Sequence, residues 1–433
     1  MTRSNSGNRT NVVVVGGGLA GLCAALRTAQ AGCTVTLLER AERLGGRAAS
    51  DDAKGWVLNQ GPHALYLGGH AERVLRQVGV PWDGAAFKSP NRFVELRGRV
   101  HPMPGGTLSM LASGLLGVGG KLELASAINA LSHDEGLEAV PLAEWVLRVK
   151  NADARAFLSG LFRVATYCAD HERLSAAWAL RQLRMALEHG VVYHHGGWQA
   201  LVERFAERAR QVGVRIHTGV APARIAREGR HLSVRLPDGA ELVADAVVLA
   251  VGPRAAAALV PDSASLAHAA TEAVPARAAC LDVALHTLPN PQHHFTLGLD
   301  RADYLSVHSA FARLARHDPQ RGAVIHVARY LTGETVQPGV IRAELEEVLE
   351  RAQPGWRSHV ASTRFLPAMT VVNALPLASA RGVRAPVAVA DVPRLFVAGD
   401  WVGDEGMLLD AALASASRAA DLAMEATTLR DVA

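Results

Sequence analysis

Gly16-Gly17-Gly18-Leu19-Ala20-Gly21 has the spacing GxGxxG, and a carboxylate, Glu39, stands 21 residues beyond Gly18. Glycines so spaced let a chain turn tightly, bring its backbone against a pyrophosphate and pack a helix close on a strand. Gly16 is expected to make the turn, Gly18 the approach and Gly21 the packing. The amides of Leu19 and Ala20 would face the phosphates at a helix N-terminus. Glu39, next to Arg40, would accept hydrogen bonds from both ribose hydroxyls and repel a 2′-phosphate, which disfavours NADP. The chemistry legible here is dinucleotide binding.

That chemistry needs a strand before the motif and a helix after it. Residues 12–15 are a β-branched run, expected as a buried parallel strand; 19–31 read as a helix and 34–38 as the next strand, a βαβ unit. Residues 71–190 read as largely helical, with apolar residues at three- and four-residue intervals over 142–149, 152–162 and 175–188. Another helix is expected over 199–211. Strands follow at 214–217, 232–236, 241–243 and 246–251, with Asp238-Gly239 as a hairpin turn. Further on, 324–330 reads as a strand, 341–352 as a helix, 394–398 as a strand and 407–423 as a helix. A chain of 433 residues is too long for one ordinary core, so two domains are expected.

Composition excludes several classes. The net charge of +4 is carried mostly by scattered arginines, with lysine only at 54, 88, 121 and 150, so no nucleic-acid footprint is expected. Cys23, Cys33, Cys168 and Cys280 show no CxxC spacing, which argues for free thiols in a reducing compartment. His293 and His294 are adjacent and would point to opposite faces of a strand, a poor metal pair. No metal is expected. The first ten residues lack the apolar core of a signal peptide, and a cytoplasmic location is expected. Residues 102–124 are expected as a buried helical hairpin rather than a surface that docks on a membrane.

Three further segments specify the dinucleotide. Arg43-Leu44-Gly45-Gly46-Arg47-Ala48-Ala49-Ser50 follows the pattern R-x-G-G-R-x-x-S/T. Ala244-Asp245-Ala246-Val247-Val248-Leu249-Ala250 follows A-D-x-V-V-x-A. Leu395-Phe396-Val397-Ala398-Gly399-Asp400 ends a strand in Gly-Asp before an Ala-rich helix. Together they resemble the FAD-dependent flavin amine oxidase superfamily. The resemblance implies an α/β fold: a Rossmann-type FAD-binding domain over 1–70, 190–275 and 385–433, with an inserted mixed α+β substrate domain over 71–189 and 276–384. It implies non-covalent FAD. Gly45 and Gly46 would pass the diphosphate and Arg47 would neutralise it. Gly399 and Asp400 would hold the ribityl chain. Gly406, Met407 and Leu408 would lie at the flavin pyrimidine and Val220 beside the adenine.

Asn59-Gln60-Gly61-Pro62-His63, Leu174-Ser175-Ala176 and Gly196-Gly197-Trp198-Gln199-Ala200-Leu201 resemble turns of the phytoene desaturase and protoporphyrinogen oxidase branch. That placement puts Gly61, Pro62 and His63 near the isoalloxazine. His63, with a pKa near working pH, is the catalytic candidate, as proton acceptor or hydrogen-bond partner. Tyr193, His194 and His195 are expected in the pocket roof, and Met369, Val371, Val372, Leu375 and Leu377 in an apolar wall. No lysine follows Lys150, and Met407 stands where amine oxidases carry an aromatic ring. The function implied is hydride removal from an apolar organic substrate to form C=C or C=N, with reoxidation by oxygen, a quinone or another acceptor. The alternatives are an amine oxidase releasing hydrogen peroxide, a redox-neutral isomerase, and a degenerate flavoprotein, since Asp410 stands where the family has glycine. Peripheral membrane contact is not favoured, and a homodimer stays open.

Overall fold

The computed structural model describes residues 10–315, 322–333 and 336–428. β1 (Asn11–Val15), α1 (Leu19–Gln30) and β2 (Thr34–Leu38) form the expected βαβ unit. They belong to a five-stranded parallel sheet ordered Arg215–His217, β2, β1, Ala246–Leu249, Leu395–Val397. The β-branched run Val12–Val15 is buried because α1 and the C-terminal helix pack on this sheet and a separate three-stranded sheet joins the same core. This three-stranded antiparallel sheet, Arg224–Glu228, His231–Arg235 and Glu241–Ala244, carries the Asp238-Gly239 turn between its last two strands.

The second sheet has seven strands. Four of them are β3 (Ala276–Leu285), β4 (Asp303–Val307), β5 (Ala323–Leu331) and β6 (Val360–Val372), in the order β6-β3-β5-β4 with β6 at the edge. Phe295–Gly298, Arg92–Leu96 and Arg99–Pro102 complete it. The last two, and Gly84–Ala86 in a smaller sheet, correct the helical reading of 71–190. Arg92–Leu96 alternates too briefly to stand out, and its pairing is with Phe295–Gly298, some two hundred residues away. Helices Ala152–Thr166 and Ala176–His189 cover one face of this sheet, and Pro338–Ala352 covers the other.

Residues 102–124 do not form the expected buried hairpin. They contain the short helix Thr107–Ala112 and the start of Val118–Asn129, on which Val118 and Leu122 are 76% and 68% exposed. Among the described residues no helix is long and apolar enough to cross a membrane.

The C-terminal helix α3 (Leu408–Thr428) packs along α1 through an alanine-rich seam and the Arg27–Asp421 ion pair. Its Asp410 is buried and accepts the Ala71 N–H at 2.6 Å, capping α2 (His70–Val78), whose own N-cap residue is Gly69. Burial pushes the Asp410 carboxyl up to about 6, against the backbone donors at Ala71 and His70. A carboxyl raised in the folded protein stabilises the fold least where it is ionised, so stability falls as pH rises from about 4 through 6. Asp410→Asn keeps an acceptor for Ala71 and should stabilise the protein at pH 8 by on the order of 2 kcal/mol. Thermal unfolding at pH 8 and pH 4 reads this out; a gap that does not close at pH 4 would contradict it.

Candidate cofactor and active site

The loop between β1 and α1 is shaped by its glycines. Gly16 has φ +110°, and a Cβ there would stand 2.5 Å from the Ala250 carbonyl oxygen. A Cβ on Gly21 would fall inside the Gly16 carbonyl oxygen, so only glycine lets α1 start this close to β1. The second glycine loop lies against the first, with Gly45 N–H donating to Gly17 C=O at 2.8 Å. Glu39 ties this region together: Oε2 accepts from Gly17 N–H at 2.5 Å and Oε1 from Ala41 N–H at 2.8 Å. The carboxylate therefore sets the shape of the loop as well as facing the cavity.

A cavity of about 910 Å³ runs from this loop into the second sheet. Gly16, Gly18, Leu19, Ala20, Glu39, Arg40, Gly45, Gly46 and Arg47 line its middle, with Gly399 and Asp400 beyond them. Pro62, His63 and Leu408 line the far end, where Tyr167, Tyr330, Ala278, Met369 and Trp198 join them. Ala221, Pro222, Ala223, Ala258 and Leu259 line the near end.

Several expected contacts fall elsewhere. Val220 spends its N–H on the Glu39 carbonyl at 2.9 Å and does not line the cavity; Ala223 donates to Arg235 and Pro222 has no N–H, which leaves Ala221. Gly61, Gly406 and Met407 are outside the lining. Met407 is buried in the helical core, because Leu408, with φ +55°, turns the chain into α3 and takes the cavity position. Tyr193 stacks on His308 and His194 packs on Trp198, so the expected roof of Tyr193, His194 and His195 is replaced by Trp198 and Tyr167. Of the apolar wall, Met369 and Val371 reach the cavity; Val372, Leu375 and Leu377 belong to the helical core.

Asp400 is the hub of the cavity's inner wall. It accepts Arg47 Nη1 at 2.7 Å, Asn373 Nδ2 at 2.9 Å and Asn373 N–H at 3.1 Å. Burial works to raise its carboxyl, but Arg47 and Asn373 override burial and hold it below the usual carboxylate range. Arg47 was expected on the diphosphate; Nη1 instead bridges Asp400 and the Val371 carbonyl, and the guanidinium edges the cavity.

The structure joins the two segments that carry the branch resemblance. Asn59 Oδ1 accepts Trp198 N–H at 2.9 Å, and the His63 and Trp198 rings are 5.2 Å apart. His63 Nδ1 lies 3.1 Å from the Gly61 carbonyl, so it donates there and Nε2 carries the lone pair. Burial pushes His63 down to about 4, not the near-neutral value expected from the sequence; the ring is neutral at pH 7.

Tyr167 and Tyr330 were missed. They meet edge to face at 6.2 Å from elements far apart in sequence, and no local motif announces them. The one local sign, φ +55° at Tyr167 past the end of a helix, is visible only in the fold. Asn373 was missed for the same reason.

The residues fit FAD. The amides opening α1 have no side-chain cap and no acidic neighbour in the first turn, and they edge the cavity. A parallel sheet with a glycine loop at its carboxyl edge, extended into a second sheet by one long cavity, defines a dinucleotide-dependent flavoprotein. The flavin containing amine oxidoreductase family model matches residues 19–424, and the chain belongs to that family, with FAD as its cofactor. It is 29% identical to hydroxyneurosporene desaturase of Cereibacter sphaeroides over 56% of each chain. It is 53% identical to L-amino-acid oxidase of Naja atra, over 13% of this chain and 12% of that one. The chain thus covers about half, or less, of these relatives. The fold matches an oxidoreductase from Methanosarcina mazei with TM-score 0.74 at 18% identity, covering 95% of this chain and all of that one. The expected superfamily is borne out.

Glu39→Ala strips two backbone N–H groups of their acceptor and removes a carboxylate from the cavity. FAD affinity should fall by on the order of 10²-fold, from a loss of ~1–3 kcal/mol per orphaned donor. Titration of apoprotein with FAD measures it, and an unchanged dissociation constant would place the nucleotide elsewhere.

Proposed function

We propose that this protein is an FAD-dependent oxidoreductase that removes a hydride from a small, largely apolar organic substrate and leaves a C=C or C=N bond. The observation that carries this reading is the character of the cavity's far end. Its walls are His63, Tyr167, Tyr330, Ala278 and Met369, all uncharged at neutral pH, while Glu39, Arg40, Arg43, Arg47 and Asp400 lie along the nucleotide stretch. Among the described residues, no carboxylate lines that end to meet a cationic amine.

FAD, when bound, supplies the two-electron acceptor. The chain supplies the rest. Gly18, Leu19 and Ala20 would present backbone to the diphosphate, Glu39 would face the ribose, and Asp400 with Asn373 and Arg47 would hold the middle of the cofactor. Tyr167, Tyr330 and Met369 exclude water and hold substrate against the reacting edge. His63 Nε2 is a neutral acceptor for a substrate X–H. We place the division between the two domains by their cores. The apolar residues of 71–80 pack with the parallel sheet, so that division falls after residue 80 rather than at 70. Oxygen or a quinone is the proposed final acceptor, and the four free thiols fit a cytoplasmic setting.

A second reading, oxidation of a neutral amine with release of hydrogen peroxide, is favoured by the Tyr167–Tyr330 pair, which could flank such a group. The test is anaerobic mixing of the yellow holoprotein with a panel of polyenes and hydroaromatics, and with a panel of amines. Bleaching of the flavin by the first panel alone is expected. Bleaching by amines alone would reject C=C formation and leave the second reading, and a protein that takes up no FAD would reject both.

A further inference from the structure

All five tyrosines of the chain are buried, at 8% exposure or less, and they divide into two kinds. Three spend their hydroxyls inside the protein. Tyr66 donates to the carbonyls of Val164 and Ala165 at 3.1 and 3.0 Å. The Tyr193 hydroxyl meets that of Tyr304 at 3.4 Å, and Tyr304 lies 3.3 Å from His308 Nε2. The other two, Tyr167 and Tyr330, are the two that line the cavity. Neither hydroxyl has a hydrogen-bond partner among the described residues. Burial pushes both well above the ordinary phenol value, so both keep their protons as donors. The indole N–H of Trp198, in the same stretch of wall, is likewise unpartnered.

A buried hydroxyl with nothing to bond is a cost, and phenylalanine would fill the same shape without it. The backbone points the same way. Tyr167 stands one residue past the helix Ala152–Thr166 with φ +55° and ψ 29°, a left-handed position where glycine carries least strain. Strain and unspent donors thus coincide at the wall where substrate is read to lie. Tyr330 reaches that wall from near the end of β5, directly opposite Ala278 on β3. Ala278 is wall too, and its short side chain leaves room beside the Tyr330 ring. The two tyrosine rings meet edge to face, with 6.2 Å between centres and 86° between planes.

Charge decides what these donors fit. The cations lining the cavity are Arg40, Arg43 and Arg47, which lie along the nucleotide stretch, and Arg47 is paired with Asp400. A carboxylate at the far end would be desolvated without a cation of its own. A hydrocarbon would leave every donor unmet. A neutral carbonyl oxygen brings two lone pairs and no charge to bury, and it accepts from a phenol hydroxyl and an indole N–H alike.

We propose that the substrate is a neutral carbonyl compound, an apolar body bearing a ketone or enone oxygen, and that Tyr167 and Tyr330 donate to that oxygen and set the specificity of the site. The inference rests on reading the far end as the place where substrate meets the flavin. It narrows the substrate from apolar molecules in general to those with such an acceptor.

The test uses acetophenone and ethylbenzene, which match in shape and differ in the oxygen. Equilibrium dialysis of oxidised holoprotein, without oxygen gas, gives dissociation constants for wild type, Tyr167→Phe, Tyr330→Phe and the double variant. Acetophenone should bind each single variant several-fold more weakly, and the double variant on the order of tenfold more weakly or beyond, than wild type. Ethylbenzene affinity should change little across the set. Because the hydroxyls have no protein partner to lose, the phenylalanine variants should retain FAD and melt at or above wild type. A loss of affinity that is the same for both probes, or no loss for acetophenone, would overturn the proposal. So would phenylalanine variants that melt below wild type, since the hydroxyls would then be held within the protein. Each of those results leaves the hydride-transfer reading standing, because a hydrocarbon can be desaturated without such an acceptor. Failure of the wild-type chain to bind FAD would overturn both.

Discussion

Gly21→Ala should abolish FAD retention and strip the protein of most of its stability. The added methyl would overlap the Gly16 carbonyl oxygen and sit against Ala250 Cβ, both on the closely packed floor of the parallel sheet. Neither obstacle is a flexible side-chain end, so α1 must move off β1. Overpacking of backbone against backbone belongs to the most damaging class of substitution, ~3 kcal/mol or more. Because the N-terminus of the same helix lines the cavity, where the diphosphate is proposed to bind, the cofactor site should be lost with the packing. Gly18→Ala is the control. A Cβ there meets only Gly45 C=O at 3.7 Å, an ordinary contact, but it projects at the cavity edge. That variant should melt close to the wild-type apoprotein and still bind FAD weakly. Comparable melting temperatures for the two variants would show that Gly21 is not held by packing.

Asp400→Ala should also release FAD, by a different route. The aspartate joins three segments: the second glycine loop through Arg47, the chain after β6 through Asn373, and the strand Leu395–Val397 that leads to it. Truncation leaves the Arg47 guanidinium without its carboxylate and two Asn373 donors without an acceptor. Arg47 keeps some contact with the cavity's solvent, so the loss is put at about 2 kcal/mol rather than the larger value of a sealed pair. The pH dependence follows from the depressed carboxyl. Its contribution is complete above the ordinary carboxylate pKa of ~4 and is lost as pH falls through the lower folded value. Wild-type holoprotein should therefore shed FAD on acidification below about pH 4, and Asp400→Ala should bind weakly at pH 7 without that added acid step. Flavin fluorescence during a pH titration reports release directly, and an identical acid profile in both proteins would remove Asp400 from this role.

The parts legible from sequence share one property: their physics is local. GxGxxG needs only its neighbours to make a strand, a turn and a helix, and β1, α1, β2 and Glu39 stand where the pattern put them. Val12–Val15 is a parallel strand because a β-branched run must be buried on both faces. Local physics also carried Arg47 and Asp400 to the right cavity, though not to each other. The pairing of Arg92–Leu96 and Arg99–Pro102 with the second sheet was not legible, since short strands owe their existence to partners far along the chain.

The nucleotide loop this chain begins with was thus determined by sequence alone, down to the residue whose missing Cβ lets α1 approach. What only the tertiary structure decided is the other end of the cavity. Tyr167 and Tyr330 come from a helix end and a central strand, Trp198 displaces the expected histidines, and Leu408 displaces Met407. The pKa of His63 was decided there too, because desolvation depends on everything that surrounds a ring and not on the residues beside it in sequence.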